Sequence, residues 1–308
     1  MRAAGFDVSK KELAASWDGH LELIPNDAKR IRRYLNGLPA GTLLGVESTG
    51  RHHMKLVEVA IQMGMAIYVV NPREFFLYRK SLSFRVKSDP SDAELLARFI
   101  ENEHERLRPY KRPSDRCLLG TELIRHRDGL VRALVSLRES MAQLSLSVRD
   151  CLVESQRALE QLNTAIESAE RELAGLMEMD ERYKRILKMP GIGPITAAAI
   201  ILAFDRGTFP KADSLVAYAG LDLEVADSGI KKGRRRLTKR GDRLLRCLLY
   251  LAATAGTRCE CWRGYYQKAK ERGWKPVQAI LILARKMLRT AWALLRYERE
   301  FDPCQANT

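Results

Sequence analysis

The chain has 308 residues, of which 46% are hydrophobic and 30% are charged, and its net charge is +15. This composition is typical of a folded globular protein and excludes a disordered chain. No apolar stretch reaches the roughly 18 residues of a membrane span, and no signal peptide opens the chain, so we expect a cytoplasmic protein without a membrane anchor. The length predicts two or three domains.

The positive charge is concentrated in the C-terminal part of the chain. Residues 186–308 hold 23 basic and 11 acidic side chains, a net charge of +12. This asymmetry indicates a polyanionic partner for that part. Nucleic acid and an anionic membrane surface both fit the charge, and the lack of a spanning or signal segment favours nucleic acid. The six cysteines form no CxxC pair, so we expect reduced thiols rather than a zinc site.

The first third of the chain alternates strand and helix patterns. Three antiparallel strands are predicted first, and Asp18-Gly19 suits the hairpin turn between the second and third. A helix capped by Asn26 follows, and then strand, helix, strand and helix. The predicted elements are strands Ala3–Val8, Glu12–Trp17 and 21–24, helix 27–38, strand Leu43–Glu47, helix 52–63, strand 66–70 and a helix that begins at Pro72. This order predicts a ribonuclease-H-like mixed sheet with helices on its faces.

Four carboxylates fall at chemically informative positions of this predicted domain. Asp7 lies at the end of the first strand and Glu47 ends the fourth, and these strands are neighbours in a ribonuclease-H-like sheet. Asp89 and Asp92 lie three residues apart at the start of a predicted helix over residues 90–101. Clustered carboxylates are the ligands that Mg²⁺ or Mn²⁺ uses for phosphoryl transfer. Each residue also has an ordinary explanation, and Asp89 could serve only as a helix N-cap.

The middle of the chain carries a long helical pattern. Residues 130–174 contain no Gly or Pro, and apolar residues recur with coiled-coil spacing. The pattern slips near Ser155, which indicates either a stutter or the turn of a helical hairpin. A dimerising coiled-coil arm and an intramolecular helix pair both fit. The seam consists of Leu130, Leu134, Leu137, Met141, Leu144, Val148, Leu159, Leu162, Ile166, Ala169, Leu173 and Leu176.

The C-terminal part is predicted to be mainly helical, with strong apolar helices at residues 244–255 and 277–295. Residues 187–197 resemble a helix-hairpin-helix, in which Gly191 and Gly193 would let backbone N–H groups bind a phosphate; an ordinary turn is the alternative. Residues 231–246 carry nine basic side chains against one acidic one, which favours nucleic-acid contact over a solvated face. The nine are Lys231, Lys232, Arg234, Arg235, Arg236, Lys239, Arg240, Arg243 and Arg246.

Several of these segments resemble one known family. The segments are Phe6-Asp7-Val8-Ser9-Lys10, Glu47-Ser48-Thr49-Gly50, Lys87-Ser88-Asp89 with Asp92-Ala93, Tyr218-Ala219-Gly220-Leu221 and Ser228-Gly229. Together they resemble the DEDD transposases of the insertion-sequence 110 family. The resemblance implies a RuvC-like catalytic domain at residues 1–113, a helical coiled-coil arm at 114–185 and a helical transposase domain at 186–308.

The resemblance also implies a chemistry that the residues alone do not establish. Asp7, Glu47, Asp89 and Asp92 would hold the metal, and Ser228 would attack DNA to form a covalent phosphoserine. Taken by itself, Ser228-Gly229 is typical of a turn. The implied partners are donor and target DNA, a structured non-coding guide RNA and further copies of the chain, as a dimer or a dimer of dimers. Leu223 and Asp242 depart from the family pattern, where Pro and Asn are frequent.

Two other functions remain open at the level of the sequence. A Holliday-junction resolvase or related nuclease would use the four carboxylates to hydrolyse DNA, without a serine adduct. A structural DNA-bridging protein would use the basic half alone, and its carboxylates would be ordinary surface groups.

Overall fold

The computed structural model describes residues 2–48, 50–82, 91–145, 148, 152–224 and 236–306. These residues form two compact units, Met1–Arg112 and Pro113–Thr308. Some of the predicted site residues lie outside the described residues: Asp89, Ser228, Lys231, Lys232, Arg234 and Arg235.

The first unit contains a five-stranded mixed sheet in the order β3-β2-β1-β4-β5. Strand β1 is antiparallel to β2 and parallel to β4, β2 is antiparallel to β3, and β4 is parallel to β5. The strands are β1 (Ala3–Val8), β2 (Glu12–Trp17), β3 (His20–Pro25), β4 (Leu43–Glu47) and β5 (Ile67–Val70). Asp18 and Gly19 form the β2–β3 turn with positive φ angles of 48° and 80°, as the sequence predicted. The mixed sheet expected of a ribonuclease-H-like domain is confirmed.

Helices cover both faces of this sheet. They are α1 (Ala28–Asn36), α2 (Met54–Gln62), α3 (Pro72–Ser81) and α4 (Asp92–Glu103). Phe6 and Val46 point into the core beneath α1 and α2, whereas Leu43 and Val70 pack with α3 and α4 on the opposite face. The period-two alternation along a strand therefore divides β1 and β4 between two cores.

The predicted cap of α1 is wrong. Asp27, not Asn26, caps α1 by accepting hydrogen bonds from the N–H groups of Lys29 and Arg30. The side-chain amide of Asn26 instead donates to the Ser9 carbonyl at 2.9 Å. Tertiary contacts therefore override local capping preference at this position.

The helix with the second carboxylate pair also begins later than predicted. Ser91, not Asp89, caps α4 and accepts a hydrogen bond from the N–H of Glu94 at 3.2 Å. Asp92 is consequently the first residue of the helix, where a negative charge interacts favourably with the helix dipole. The predicted start at residue 90 is two residues too early.

Close packing holds α4 against the sheet. A Cβ atom on Gly5 would overlap the carbonyl of Ala93, and one on Gly45 would overlap the side chain of Ile100. At the other end of α4, the Glu101 carboxylate accepts a hydrogen bond from the N–H of Ala3 at 3.1 Å. Glycines at these two strand positions thus let α4 lie directly on β1 and β4, which defines where its first residue is placed.

The second unit is mainly helical. It contains α5 (Asp115–Ala142), α6 (Val153–Met177), α7 (Glu181–Leu187), α8 (Pro194–Arg206), α9 (Ala212–Tyr218), α10 (Arg243–Gly256), α11 (Glu260–Glu271), α12 (Pro276–Arg296) and α13 (Pro303–Ala306), with the short strands β6 (Leu223–Glu224) and β7 (Arg236–Leu237). Its core includes Ile200, Leu249 and Leu288 from α8, α10 and α12. No helix in the described parts of the chain is long and apolar enough to cross a membrane.

The predicted arm corresponds to two helices that pack against each other. Helix α5 ends at Ala142, earlier than the slip predicted near Ser155, and α6 begins at Val153. Arg127 of α5 and Glu170 of α6 form an ion pair of 2.7 Å. Of the seam residues, Leu134 is buried whereas Val148 is 46% exposed. The described residues therefore form a helix pair within one chain, and self-association through this pair stays a prediction.

Candidate active site and nucleic-acid interface

Asp7 and Glu47 lie on the same face and at the same edge of the sheet. Strands β1 and β4 run parallel with Phe6 opposite Val46, so the next residues, Asp7 and Glu47, come side by side. Since Phe6 and Val46 point into the core under α1 and α2, the two carboxylates point to the α4 face. Asp7 and Glu47 therefore lie side by side, as the strand order predicted.

Asp92 joins these two carboxylates because α4 begins above their edge of the sheet. The pKa of Asp7 is raised by partial burial and then by the charge of Asp92. The pKa of Glu47 is raised by partial burial and by the charges of Asp7 and Asp92. The three carboxylates thus form one acidic cluster, in which the charge of Asp92 acts on both Asp7 and Glu47.

Arg79, which the sequence analysis did not single out, is a cation that contacts this acidic cluster. It lies in the last turn of α3, and its Nη1 donates to Asp92 Oδ1 at 3.0 Å. Its charge also acts on Glu47 in the direction that lowers the pKa. Both side chains of the Arg79–Asp92 pair are about half exposed, at 49% and 40%. Arg79 therefore balances part of the negative charge without burying it.

The donor set of the acidic cluster fits a divalent cation in its chemistry. Carboxylate oxygens are the hard ligands that Mg²⁺ and Mn²⁺ prefer, and their mutual repulsion is relieved by a bound cation. Among the residues that the structure describes, no three His, Cys, Asp or Glu side chains lie close enough together to hold a metal ion as they stand. One oxygen of Asp92 is engaged by Arg79. Asp89, the fourth predicted ligand, lies outside the described residues.

The segment that contains Ser228 lies outside the described residues, but its two flanks are described. Strands β6 and β7 pair, with Leu223 opposite Leu237. Just before and after this pair, the Thr238 hydroxyl donates to the Asp222 carboxylate, and the Thr238 N–H donates to the Asp222 carbonyl at 3.0 Å. A Cβ atom on Gly241 would overlap the Tyr218 carbonyl. The two flanks are therefore held together at the backbone.

The described basic residues that follow this segment differ in their surroundings. Lys239, Arg240 and Arg243 are exposed. Arg246 instead donates from Nη1 to the Ala219 carbonyl at 3.0 Å. Asp242 caps α10 by accepting from the N–H groups of Leu244 and Leu245. The exposed three are accessible to a nucleic-acid backbone, whereas Arg246 joins α10 to the end of α9.

The helix-hairpin-helix-like segment forms the turn between α7 and α8. Gly191 has a φ of +87°, and a Cβ atom there would lie 2.8 Å from the Ala252 carbonyl. Trp262 Nε1 donates to the Pro190 carbonyl at 2.8 Å. Gly193 caps α8 and has open space around it. Gly191 thus serves close packing on α10, and the open helix start at Gly193 is the part that a phosphate could approach.

Sequence reasoning missed a buried ion-pair network at the start of α7. Asp180, whose side chain is 5% exposed, pairs with Arg116 and, at 2.8 Å, with Arg182; Arg182 also binds Asp205 at 2.7 Å. These hydrogen bonds outweigh burial and hold the pKa of Asp180 well below its usual value. The local signal was Asp180 as an N-cap, which the sequence alone does not connect to Arg116, 64 residues away.

Comparison with known proteins identifies related sequences over most of the chain. A DEDD transposase model of the IS110 type matches residues 4–148. A second model, described as the transposase IS116/IS110/IS902 family, matches residues 183–267. The first match contains the acidic cluster, and the second contains the segment with Ser228.

Curated relatives agree with both matches. The chain is 29% identical to a pilin gene-inverting protein of Moraxella bovis, over 83% of this chain and 81% of that protein. It is 25% identical to a probable family 20 transposase of Pseudomonas aeruginosa, over 89% of each chain. An uncharacterized protein of the insertion element IS116 of Streptomyces clavuligerus is 35% identical over 48% of this chain and 37% of its own length.

Proposed function

Because the chain belongs to the IS110 family of DEDD transposases, which act on DNA, we propose that it cuts, exchanges and rejoins strands through an acidic metal site and the Ser228 nucleophile. The observation that supports this most strongly is the convergence of Asp7, Glu47 and Asp92 at one edge of the sheet, where the charge of Asp92 raises the pKa of Asp7 and both charges raise the pKa of Glu47. Surface carboxylates without a function are not expected to cluster in this way, because their repulsion raises the free energy of the folded state.

Asp7, Glu47 and Asp92, with Asp89, would hold the divalent ion. A bound Mg²⁺ or Mn²⁺ supplies Lewis-acid stabilisation of the charge on the reacting phosphoryl oxygens. The protein's own part is to hold the carboxylates close together, although burial and mutual repulsion raise the pKa values of Asp7 and Glu47 until a cation binds. The packing of Gly5 and Gly45 under α4 supports this, since a larger residue at either position would push Asp92 away from Asp7.

Ser228 would carry the covalent step. Its hydroxyl oxygen forms a bond to phosphorus while the bond from phosphorus to a deoxyribose oxygen breaks, and the phosphoserine ester keeps the bond energy needed for rejoining without ATP. The relative named for inverting a pilin gene supports rejoining, because inversion requires that cut ends be sealed again. This assignment rests on the family motif and not on the geometry of Ser228.

The basic C-terminal part would bind the nucleic acids. Exposed Lys239, Arg240 and Arg243 adjoin the segment that carries Ser228, as do Lys231, Lys232, Arg234, Arg235 and Arg236 in sequence. Gly193 would add a backbone contact at the start of α8. The proposal includes a structured RNA of the element that pairs with donor and target DNA, and a dimer or dimer of dimers in which the carboxylates of one subunit act with the serine of another. A basic surface would serve RNA and DNA alike.

A junction resolvase that acts by hydrolysis is the enzyme alternative, and strand exchange separates the two. The full-length protein is incubated with its element's donor and target DNA, the element's RNA and Mg²⁺, and cleaved and exchanged products are resolved. We expect Ser228→Ala to lose both cleavage and exchange and to retain nucleic-acid binding. Ser214→Ala, in α9 of the same unit, is the matched control and should keep both. Cleavage that persists in Ser228→Ala would indicate the resolvase.

A further inference from the structure

Arg285 of α12 is a half-buried cation that has no hydrogen-bonding partner among the described residues. Its Nε is buried and makes no hydrogen bond. Throughout the described part of the chain, none of its other nitrogens donates to a hydrogen bond or an ion pair. Arg116 has a buried, unpaired Nε as well, but its Nη2 binds Asp180. Arg285 therefore differs from Arg116, whose guanidinium group has an ion-pair partner even though its Nε makes no hydrogen bond.

The acidic groups near Arg285 are already engaged by other side chains. Asp213 accepts two hydrogen bonds from Arg289, at 2.9 Å from Nε and 2.6 Å from Nη2. Asp222 accepts from the hydroxyl of Thr238. Burial and the neighbouring charge of Arg289 lower the pKa of Arg285, whereas Asp213, Tyr265 and Asp222 act in the opposite direction. The positive charges of Arg285 and Arg289, one turn apart on α12, thus act on each other, and among the described residues only Arg289 has an ion-pair partner.

An unpaired cation at a partly buried position destabilises a folded protein unless an anion binds it. A guanidinium presents a planar set of donors that matches the oxygens of a phosphate, and a second arginine beside it strengthens the field for a diester. The charge of Asp222, the residue that leads into β6, also acts on Arg285, which brings Arg285 within electrostatic range of one flank of the segment that contains Ser228. These features favour a backbone phosphate as the missing partner.

We propose that Arg285 binds a phosphate of the DNA backbone, as a contact on α12 separate from the basic run of residues 231–246. The inference rests on the proposed function because it takes DNA as the ligand. In this proposal Arg289 stays paired with Asp213, and its positive charge adds to the attraction of the phosphate. The contact would be sequence-independent, since it engages the phosphate and not a base.

The test uses the full-length protein and a fluorescent DNA duplex of arbitrary sequence, without Mg²⁺, so that binding is measured apart from cleavage. We expect Arg285→Gln to weaken binding about tenfold and to reduce the slope of log K against log salt by about one. Arg296→Gln is the matched control, because Arg296 is an exposed arginine on the same helix. Its salt slope should stay close to that of the wild type.

Thermal melting separates this role from a structural one. Removing an unpaired cation should leave the melting temperature of Arg285→Gln unchanged or raise it, and Arg285→Lys should fold as the wild type does and keep most of the salt slope. A fall in the melting temperature of Arg285→Gln, or an unchanged salt slope, would overturn the proposal. So would weaker binding to an RNA hairpin with unchanged binding to DNA. Failure of the wild type to bind DNA would instead count against the proposed function.

Discussion

Arg79 and Asp92 are joined by a 3.0 Å ion pair beside the acidic cluster. A cation that binds the cluster must compete with Arg79 for one oxygen of Asp92. The pair also brings α3 to the start of α4, so the positive charge comes from a helix that carries none of the proposed ligands. The relation between these two residues leads to the first prediction.

Arg79→Gln should bind divalent metal more tightly than the wild type. The substitution frees Asp92 and removes a repulsive positive charge, and an exposed ion pair of this kind limits the gain to about fivefold. Mn²⁺ binding to the full-length protein is measured by electron paramagnetic resonance. Arg73→Gln, an exposed arginine near the start of α3, is the control and should bind as the wild type does. Weaker binding by Arg79→Gln would show that Arg79 supports the site.

Asp7→Asn should raise the melting temperature of the metal-free protein by about 2 °C. The pKa of Asp7 is raised in the folded state, so ionised Asp7 destabilises the folded protein. This loss of stability grows as the pH rises from the unfolded pKa through the folded pKa. Removing the charge also relieves Glu47 and Asp92. Mg²⁺ should stabilise the wild type and have less effect on the variant. Asp18→Asn, in the exposed β2–β3 turn, is the control. Equal stabilisation of Asp7→Asn and wild type by Mg²⁺ would exclude Asp7 as a ligand.

Asp180→Asn should destabilise the second unit by about 2 kcal/mol at neutral pH, because Arg116 and Arg182 lose their buried carboxylate. The folded pKa of Asp180 is depressed, so its contribution is present above the ordinary value near 4 and is lost as the pH falls through the folded pKa. The difference in melting temperature between variant and wild type should therefore shrink below about pH 4. Glu181→Gln, the exposed neighbour, should cost about 0.5 kcal/mol or less. A difference independent of pH would contradict the ion-pair account.

Leu137→Gln with Leu144→Gln should shift the protein toward monomer in sedimentation if the α5–α6 pair associates with another copy. Both residues are partly exposed on the helix pair, so their apolar surface is available to a second chain. Leu134→Gln is the contrasting variant, because Leu134 is buried and its substitution should lower stability instead. An unchanged sedimentation coefficient with Leu137 and Leu144 replaced would restrict the helix pair to a role within one chain.

The sheet and two of its carboxylates could be predicted because each depends on local pattern. Period-two alternation and the Asp18-Gly19 turn define the first strands, and the parallel pairing of β1 with β4 then brings Asp7 beside Glu47. Arg79 could not be predicted, because its contact with Asp92 depends on how α3 packs on α4. The cap of α4 was misplaced because Asp89 and Ser91 are both suitable caps, and only the packed helix distinguishes them.

In the second unit, local pattern was less informative. No Gly or Pro marks the break between α5 and α6, so the sequence pattern did not place the ends of these helices at Ala142 and Val153. Helix α11 was not predicted, since Gly264 and mixed aromatic and charged residues weaken its apolar pattern. The role of Ser228 came from family resemblance alone, and no contact among the described residues bears on it.

The most direct measurement of the central claim is the identification of a covalent link between DNA and Ser228. The full-length protein is incubated with Mg²⁺, its element's RNA and DNA, denatured, digested, and analysed by mass spectrometry for a nucleotide attached to a peptide. We predict a phosphodiester on Ser228 in the wild type, none in Ser228→Ala, and none in Asp7→Ala, because the reacting oxygens then lose their stabilisation. Full strand exchange by Ser228→Ala, or an adduct on another residue, would contradict the account.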